Sequence, residues 1–516
     1  MSMTQSSTDP ARDDAEGADA EQLRAIGYEP VLSRRMSGFG NFAISFSIIS
    51  ILSGCMTLFG FGMATGGPRV MVWGWVGVTL AVLLIGLSLA EVTSVYPTSG
   101  ALFFMAHRLG GKGWGWITGW LNLLGLFGII AGIDYGAAEF IGAFTGMAFG
   151  WTPDKYGLIA VFAAVLVLHG VLNTFGVRVL DLFNRVSVWW HLLGVAFIVT
   201  VLFLVPAHHQ SASFVFTHYA NGTGFRSAIY VSAIGLLLTG YTLTGYDASA
   251  HLSEETSRAS VLAPRGIVRS IWVSGIAGLV LVVAFLFAIQ GDDKNYALEA
   301  AGSGYGGSAT APSLIMLDAL GQHWAEILTL VIIVAQLCCG LAAIGSAARM
   351  IFAFSRDGAL PGSPTWRRVN RSAVPTNAMW LAVVMAFILA LPSLWTIQAY
   401  TAVTAVGTIG LAPAYVIPGF LRARKGRSFQ MGVWNLGKWG PLIGYAASVW
   451  VVVEVVLFCL PQVAPGTTAL TFNYAPIALG AVLLLSGIWW LARGRESYAP
   501  PAGAVEAEQF ADLDVI

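Results

Sequence analysis

In this chain the residues placed to do chemistry are the polar ones that interrupt long apolar runs, because only 10% of its 516 residues are charged and 56% are hydrophobic. Two interruptions stand out. One is Ser50-Ile51-Leu52-Ser53-Gly54-Cys55, inside residues 45–60, and the other is Tyr241-Thr242-Leu243-Thr244-Gly245-Tyr246-Asp247, inside residues 239–251. In an apolar medium every backbone N–H and C=O needs a partner, so a helix stays broken only where the freed groups serve something. The N–H groups of Ser53, Gly54 and Cys55 would open a resumed helix, whose positive end suits a carboxylate. Gly54 would let a guest approach the backbone closely. Carbonyls near Ser50 and Ile51, with those of Tyr241, Thr242 and Thr244 beside Gly245, suit an ammonium group. The chemistry implied is binding of a small molecule that carries both charges, with no fixed charge from a side chain.

Few ionisable groups lie in the apolar runs, and a buried one is a functional candidate by default. Three roles suit Asp247: capping a resumed helix, holding an amine, or carrying a proton. His191, in Trp189-Trp190-His191-Leu192, either rests neutral inside the bundle or takes up a proton near neutral pH and organises the first break only when charged. Asp134 either faces the cavity or sits near its mouth, and Asn122 is a polar alternative earlier in the same run. Tyr241 and Tyr246 flank the second break. They serve as a lid or cation–π face over a guest, or simply as packing.

These groups must be held by membrane-spanning helices. One crossing needs about 20 apolar residues. Charge-free runs place α1 in 36–68, α2 in 70–90, α3 in 113–133, α4 in 156–177, α5 from 186, and α6 from 226 to about 256. They place α7 in 270–291, α8 in 327–348, α9 and α10 within 372–421 about a turn at Leu391-Pro392-Ser393, α11 from 439, and α12 in 472–492. The expected fold is all-α and integral to the membrane, with about twelve spans. Five spans precede the helix of the second break, so two five-helix repeats, 37–210 and 225–421, would run in opposite directions and meet at a midplane site. Residues 436–493 add α11 and α12. Residues 1–36 and 496–516 read as polar cytoplasmic tails, the first of them disordered and without a signal peptide. All but four of the 27 Lys and Arg residues, the exceptions being Arg69, Lys155, Arg226 and Lys294, fall on one side if both termini are cytoplasmic. The expected location is the cell membrane.

Other classes fit poorly. Zero net charge argues against a nucleic-acid binder. No cofactor or metal motif and no nucleophile motif is present, which argues against an enzyme. Residues 302–307, Gly-Ser-Gly-Tyr-Gly-Gly, occur once in a polar loop and make no repeated channel filter. Cys55, Cys338, Cys339 and Cys459 all lie in apolar runs, so no disulfide framework is expected.

Several stretches carry a resemblance. Residues 90–100 (Ala-Glu-Val-Thr-Ser-Val-Tyr-Pro-Thr-Ser-Gly), 66–68 (Gly-Gly-Pro), 245–256 (Gly-Tyr-Asp-Ala-Ser-Ala-His-Leu-Ser-Glu-Glu-Thr) and 355–361 (Ser-Arg-Asp-Gly-Ala-Leu-Pro) resemble motifs of the amino acid–polyamine–organocation permease superfamily, closest to its amino acid/choline branch. The resemblance implies a secondary transporter of an amino acid or related amine, with substrate at both helix breaks and a proton as co-substrate. It places His191 where some proton-coupled relatives have a lysine. One departure is that many relatives have Gly-Ser-Gly in the first break, where this chain has Leu52-Ser53-Gly54-Cys55.

Overall fold

The computed structural model describes residues 21, 24, 36–175, 177–290, 311–370, 374–396, 399–463 and 471–500. The N-terminal tail up to residue 35, apart from residues 21 and 24, and residues 302–307 and 501–516 therefore lie outside the described residues. The described chain is helical apart from two isolated bridges, Met36 with Thr256 and Thr65 with Asn221.

Among the described residues, eleven helices are long and apolar enough to span a membrane. They are α1 (Gly38–Thr57), α2 (Gly67–Val95), α3 (Lys112–Phe149), α4 (Lys155–Thr174), α5 (Val177–Leu204), α7 (Ala259–Ala288), α8 (Gln322–Arg356), α9 (Thr376–Leu394), α10 (Ala399–Lys425), α11 (Gly440–Cys459) and α12 (Ala475–Ser497). The twelfth crossing, α6, is in pieces, chiefly Ala228–Thr242 and Ala248–His251.

Several helices outrun their charge-free stretches. α3 continues to Phe149, past Asp134 and Glu139, because both acids are buried within the bundle and do not mark its surface. α7 begins at Ala259 rather than near 270, so its first turns carry Arg265 and Arg269. The C-terminal segment also differs from a free tail at its start. Tyr498 is fully buried, with its ring 5.6 Å from Trp116 and 5.9 Å from Phe354.

Three helices of the first half match their counterparts in the second closely in length. α2 and α7 have 29 and 30 residues, α3 and α8 have 38 and 35, and α5 and α10 have 28 and 27. A ten-residue helix precedes α3 (Ala101–Gly110) and another precedes α8 (Ala311–Leu320). Each ends in a glycine elbow. Gly111 has φ 91° and ψ 179°, and Gly321 has φ 80° and ψ 171°. That conformation excludes L side chains on steric grounds.

Small residues let the central helices touch. A Cβ added at Gly125 or Gly128 of α3 would lie 2.5 Å from a backbone nitrogen of α10, that of Leu411 or of Gly407. Such close approach is how membrane helices gain contact without a hydrophobic driving force. Arg356 lies in the last turn of α8 and Arg422, Arg424 and Lys425 in that of α10, and the end of the bundle where α2, α8 and α10 finish is here termed the basic end. There Glu91 of α2 and Arg422 of α10 form a fully buried ion pair, with Nη2 3.1 Å from Oε1. Oε1 also accepts the Leu436 N–H at 3.0 Å, so the pair joins α2, α10 and the segment leading to α11.

Two consequences are measurable. Glu91→Gln leaves the Arg422 charge buried without its counter-ion, a loss of about 3–5 kcal/mol, so the apparent melting temperature in detergent should fall sharply; an unchanged melt would show that water reaches the pair. Asp357 lies one residue beyond the end of α8. Burial pushes its carboxyl up to about 7, and the Arg356 guanidinium, 3.6 Å away, offsets only part of that rise. The folded protein holds this proton more tightly than the unfolded chain, so the contribution is full below about pH 4 and is lost as pH rises through about 7. Thermal stability should therefore decline from about pH 4 to about pH 7, and Asp357→Asn should flatten that decline. An identical slope in the variant would assign the decline to other groups.

Candidate functional site

Ser50 is the pivot of the first break. It has left-handed backbone angles (φ 36°, ψ 78°) and no exposure, which is a strained conformation for a non-glycine residue. Its carbonyl receives the N–H groups of Ser53 (2.8 Å) and Gly54 (2.9 Å), so these two are not free to hold a guest. Cys55 lies further into the resumed helix, and its thiol donates to the Ile51 carbonyl at 2.7 Å. The first-turn N–H groups that the resumed helix leaves unpaired by its own geometry are those of Ile51 and Leu52. The break thus falls four residues before the glycine that marked it. Gly54 instead makes room for α6, since a Cβ there would come within 2.7 Å of the Thr242 Cα.

The second break spans Leu243 to Asp247. Gly245, at φ 95°, supplies the conformation that turns the chain, and a Cβ on it would strike the Ile48 side chain. Gly54 on Thr242 and Gly245 on Ile48 bring the two breaks against each other from both sides. Ser45 adds a hydrogen bond to the Tyr246 carbonyl at 2.9 Å. The Thr244 hydroxyl donates to the Tyr241 carbonyl at 2.7 Å, which leaves the last carbonyls of the longer piece of α6, Ala228–Thr242, such as that of Thr242, as the more open negative pole.

His191 of α5 is fully buried and reaches the pivot directly, with Nε2 2.6 Å from Ser50 Oγ. Nδ1 lies 2.7 Å from the Ser187 carbonyl, which can only accept. Nδ1 therefore carries a hydrogen, and in the neutral ring Nε2 accepts from the Ser50 hydroxyl.

Asp247 stands at the other end of the second break, 3% exposed. Its Oδ1 accepts the Tyr415 hydroxyl at 2.8 Å, and Oδ2 lies 3.2 Å from His251 Nε2. Tyr246 packs against Tyr415, ring centroids 4.6 Å apart. It belongs to this cluster and is 1% exposed.

Tyr241 is buried, and its hydroxyl has no hydrogen-bond partner among the described residues. A Cβ at Gly132 would lie 2.5 Å from that hydroxyl, and one at Gly136 would lie 3.0 Å from Tyr400 Oη and 3.2 Å from Gln336 Oε1. Gly132 and Gly136 are one turn apart on α3, so Tyr241, Tyr400 and Gln336 line one face beside the breaks.

Asp134 is turned elsewhere. It is fully buried, so it does not lie at a wetted mouth, and its carboxylate pairs with His169 Nδ1 of α4 at 3.1 Å. A Cβ at Gly340 would strike Asp134 Oδ1, so this pair is packed against α8. Asn122 is twelve residues earlier, about 18 Å along the helix, and is fully buried with neither side-chain polar atom hydrogen-bonded among the described residues. His169, His251, Tyr415 and Gln336 are not singled out by sequence. The usable signal is a charged or amide side chain inside an apolar run, and their partners lie mostly on other helices.

A family model described as amino acid permease matches residues 36–483. The chain belongs to the amino acid permease family. The permease is 38% identical over 512 residues to an amino-acid permease BAT1 homolog of Oryza sativa subsp. japonica, covering 95% of this chain and 98% of that one. It is 37% identical over 494 residues to amino-acid permease BAT1 of Arabidopsis thaliana, covering 93% and 95%. It is also 28% identical over 513 residues to the GABA-specific permease of Saccharomyces cerevisiae, covering 96% and 87%. The permease is therefore a multi-pass membrane transporter of the superfamily that its motifs resemble, and not an enzyme.

Because Gly54 is a packing contact between α1 and α6, Gly54→Val should cost about 1–3 kcal/mol by overpacking as well as disturb the breaks. Its melting temperature should drop even without substrate. A variant as stable as the parent, deficient only in ligand binding, would return Gly54 to a role in contacting the guest.

Proposed function

We propose that this permease imports a zwitterionic amino acid across the cell membrane by alternating access, driven by a proton taken up at His191. The observation that carries the reading is the 2.6 Å contact between His191 Nε2 and Ser50 Oγ. A proton on Nε2 would turn it into a donor and reverse the Ser50 hydroxyl. It would also set a positive charge beside the Ile51 and Leu52 N–H groups, where a substrate carboxylate is best placed. The amine would meet the carbonyl end of the longer piece of α6, around Thr242, with Tyr241, Thr244 and Gly245 near it. Ser53 and Cys55 support the resumed helix behind this site. Proton and carboxylate would thus favour each other, which is the coupling a symporter needs.

The named activity of the yeast relative, GABA-specific permease, favours including ω-amino acids among the candidates. Tyr241, Tyr400 and Gln336 offer polar groups for such a longer substrate. The Lys and Arg distribution supports cytoplasmic termini, which would make the basic end the cytoplasmic one.

Reconstituted in proteoliposomes, the permease should accumulate labelled amino acid when the outside is acidic, with no sodium present and with sensitivity to a protonophore. His191→Ala should abolish accumulation yet retain counterflow. A sodium requirement, or an unchanged accumulation ratio in the variant, would overturn proton coupling through His191.

A further inference from the structure

We propose that His251 and Asp247 hold one proton between them, and that this proton latches the basic end of α6 to the segment between α2 and the helix Ala101–Gly110. The hydrogens at this pair can be counted. His251 is 1% exposed. Its Nδ1 lies 3.1 Å from the Ser99 carbonyl and its Nε2 lies 3.2 Å from Asp247 Oδ2. A carbonyl and a carboxylate are both acceptors. A neutral imidazole has one N–H, so it satisfies one of them and leaves two acceptors facing each other. Both contacts are made only when the pair carries a further proton, as an imidazolium against a carboxylate or as a neutral ring against a carboxylic acid.

The contact is the middle of a longer chain. The Gly245 N–H donates to Tyr415 Oη at 3.1 Å, and Tyr415 donates to Asp247 Oδ1. Beyond His251, the Ser99 N–H donates to Glu254 Oε1 at 2.7 Å. A connected line of hydrogen bonds therefore runs from the turn of the second break to the Ser99 segment. It crosses four elements: the break in α6, α10, the shorter piece of α6 and the Ser99 segment.

The other charged groups on the surrounding elements have their own places. Glu254 takes the Ser99 N–H, and Glu255 pairs with Arg349 of α8 at 3.2 Å. Arg356 of α8 lies beside Asp357. On the helix Ala101–Gly110, His107 packs on the Tyr498 ring, and Arg108 neighbours it in sequence. On α7, Arg258 caps the helix and Arg265 is exposed. The inner half of α1, Gly38–Ile49, carries no charge, and α10 contributes the Tyr415 phenol. Loss of the proton from the His251–Asp247 pair leaves the ring one N–H, which the Asp247 carboxylate on the same helix holds more strongly than a neutral carbonyl does, so the contact given up is the one to the Ser99 segment. Release of the proton and loosening of this end of the molecule are the same event.

The inference rests on the transport reading for its purpose but not for its test. Hydrogen–deuterium exchange of the peptide covering 96–104 reads the latch in the purified permease without substrate. After correction for intrinsic exchange, protection in the wild type should fall about tenfold or more between about pH 5.5 and about pH 9. His251→Gln, which cannot titrate, should show no pH dependence. Asp247→Asn should move the midpoint to lower pH, and His191→Ala should leave the wild-type profile in place. Wild-type protection that is constant across this range would overturn the latch without any variant, as would a His251→Gln profile identical to the wild type. Counterflow in proteoliposomes reports separately on the transport reading. Its absence for every amino acid tested would overturn that reading and leave the exchange result standing.

Discussion

Everything at the centre of this molecule depends on one constraint: backbone polar groups set free inside an apolar bundle must be matched. Breaking α1 and α6 at one level frees amides from one helix and carbonyls from both. The protein meets the demand with short-range devices. The Ser50 carbonyl takes two amides, Thr244 covers one carbonyl, Ser45 bonds the Tyr246 carbonyl, and Tyr415 accepts the Gly245 N–H. What these devices leave over is small and polar in sign, an amide end beside a carbonyl end. Under the proposed function, such a site would take the two charges of a zwitterion through main chain and leave side chains free to set selectivity.

The same constraint explains which parts of the site were legible in sequence. The two breaks were, because serine, glycine and threonine in the middle of otherwise apolar spans have few other uses. The residue at which α1 breaks was not. Glycine is the ordinary residue for left-handed backbone, so Gly54 drew attention, while Ser50 takes that conformation with His191 bonded to its side chain. Gly54 is instead demanded by the helix opposite, a fact about α6 that local pattern does not contain. Asp134 shows the same limit. Its partner His169 is on another helix, and nothing in either stretch states that the two meet.

Charge was a good guide to the number of spans and a poor guide to their ends. Acids that mark the edge of a span in most chains lie deep in this one: Asp134 beside a histidine, Glu91 clasped by Arg422, and Glu139 and Glu454 buried. Ending a span at its first charge therefore cuts α3 short at residue 133, well before the observed Phe149. The basic end is tied by contacts of very different sequence separation, from Asp247 with His251 to Glu91 with Arg422, and Tyr498 closes it from the far terminus.

The glycine elbows at Gly111 and Gly321 have a wider consequence. A methyl group at either would meet nothing within 4 Å, so room does not select glycine there; handedness does. Between 101–111 and 311–321 the aligned letters agree only at Ala101 with Ala311 and at the elbows themselves. The likeness between these two elbows therefore lies in main-chain stereochemistry, where a search by torsion angle will find what a search by residue identity passes over.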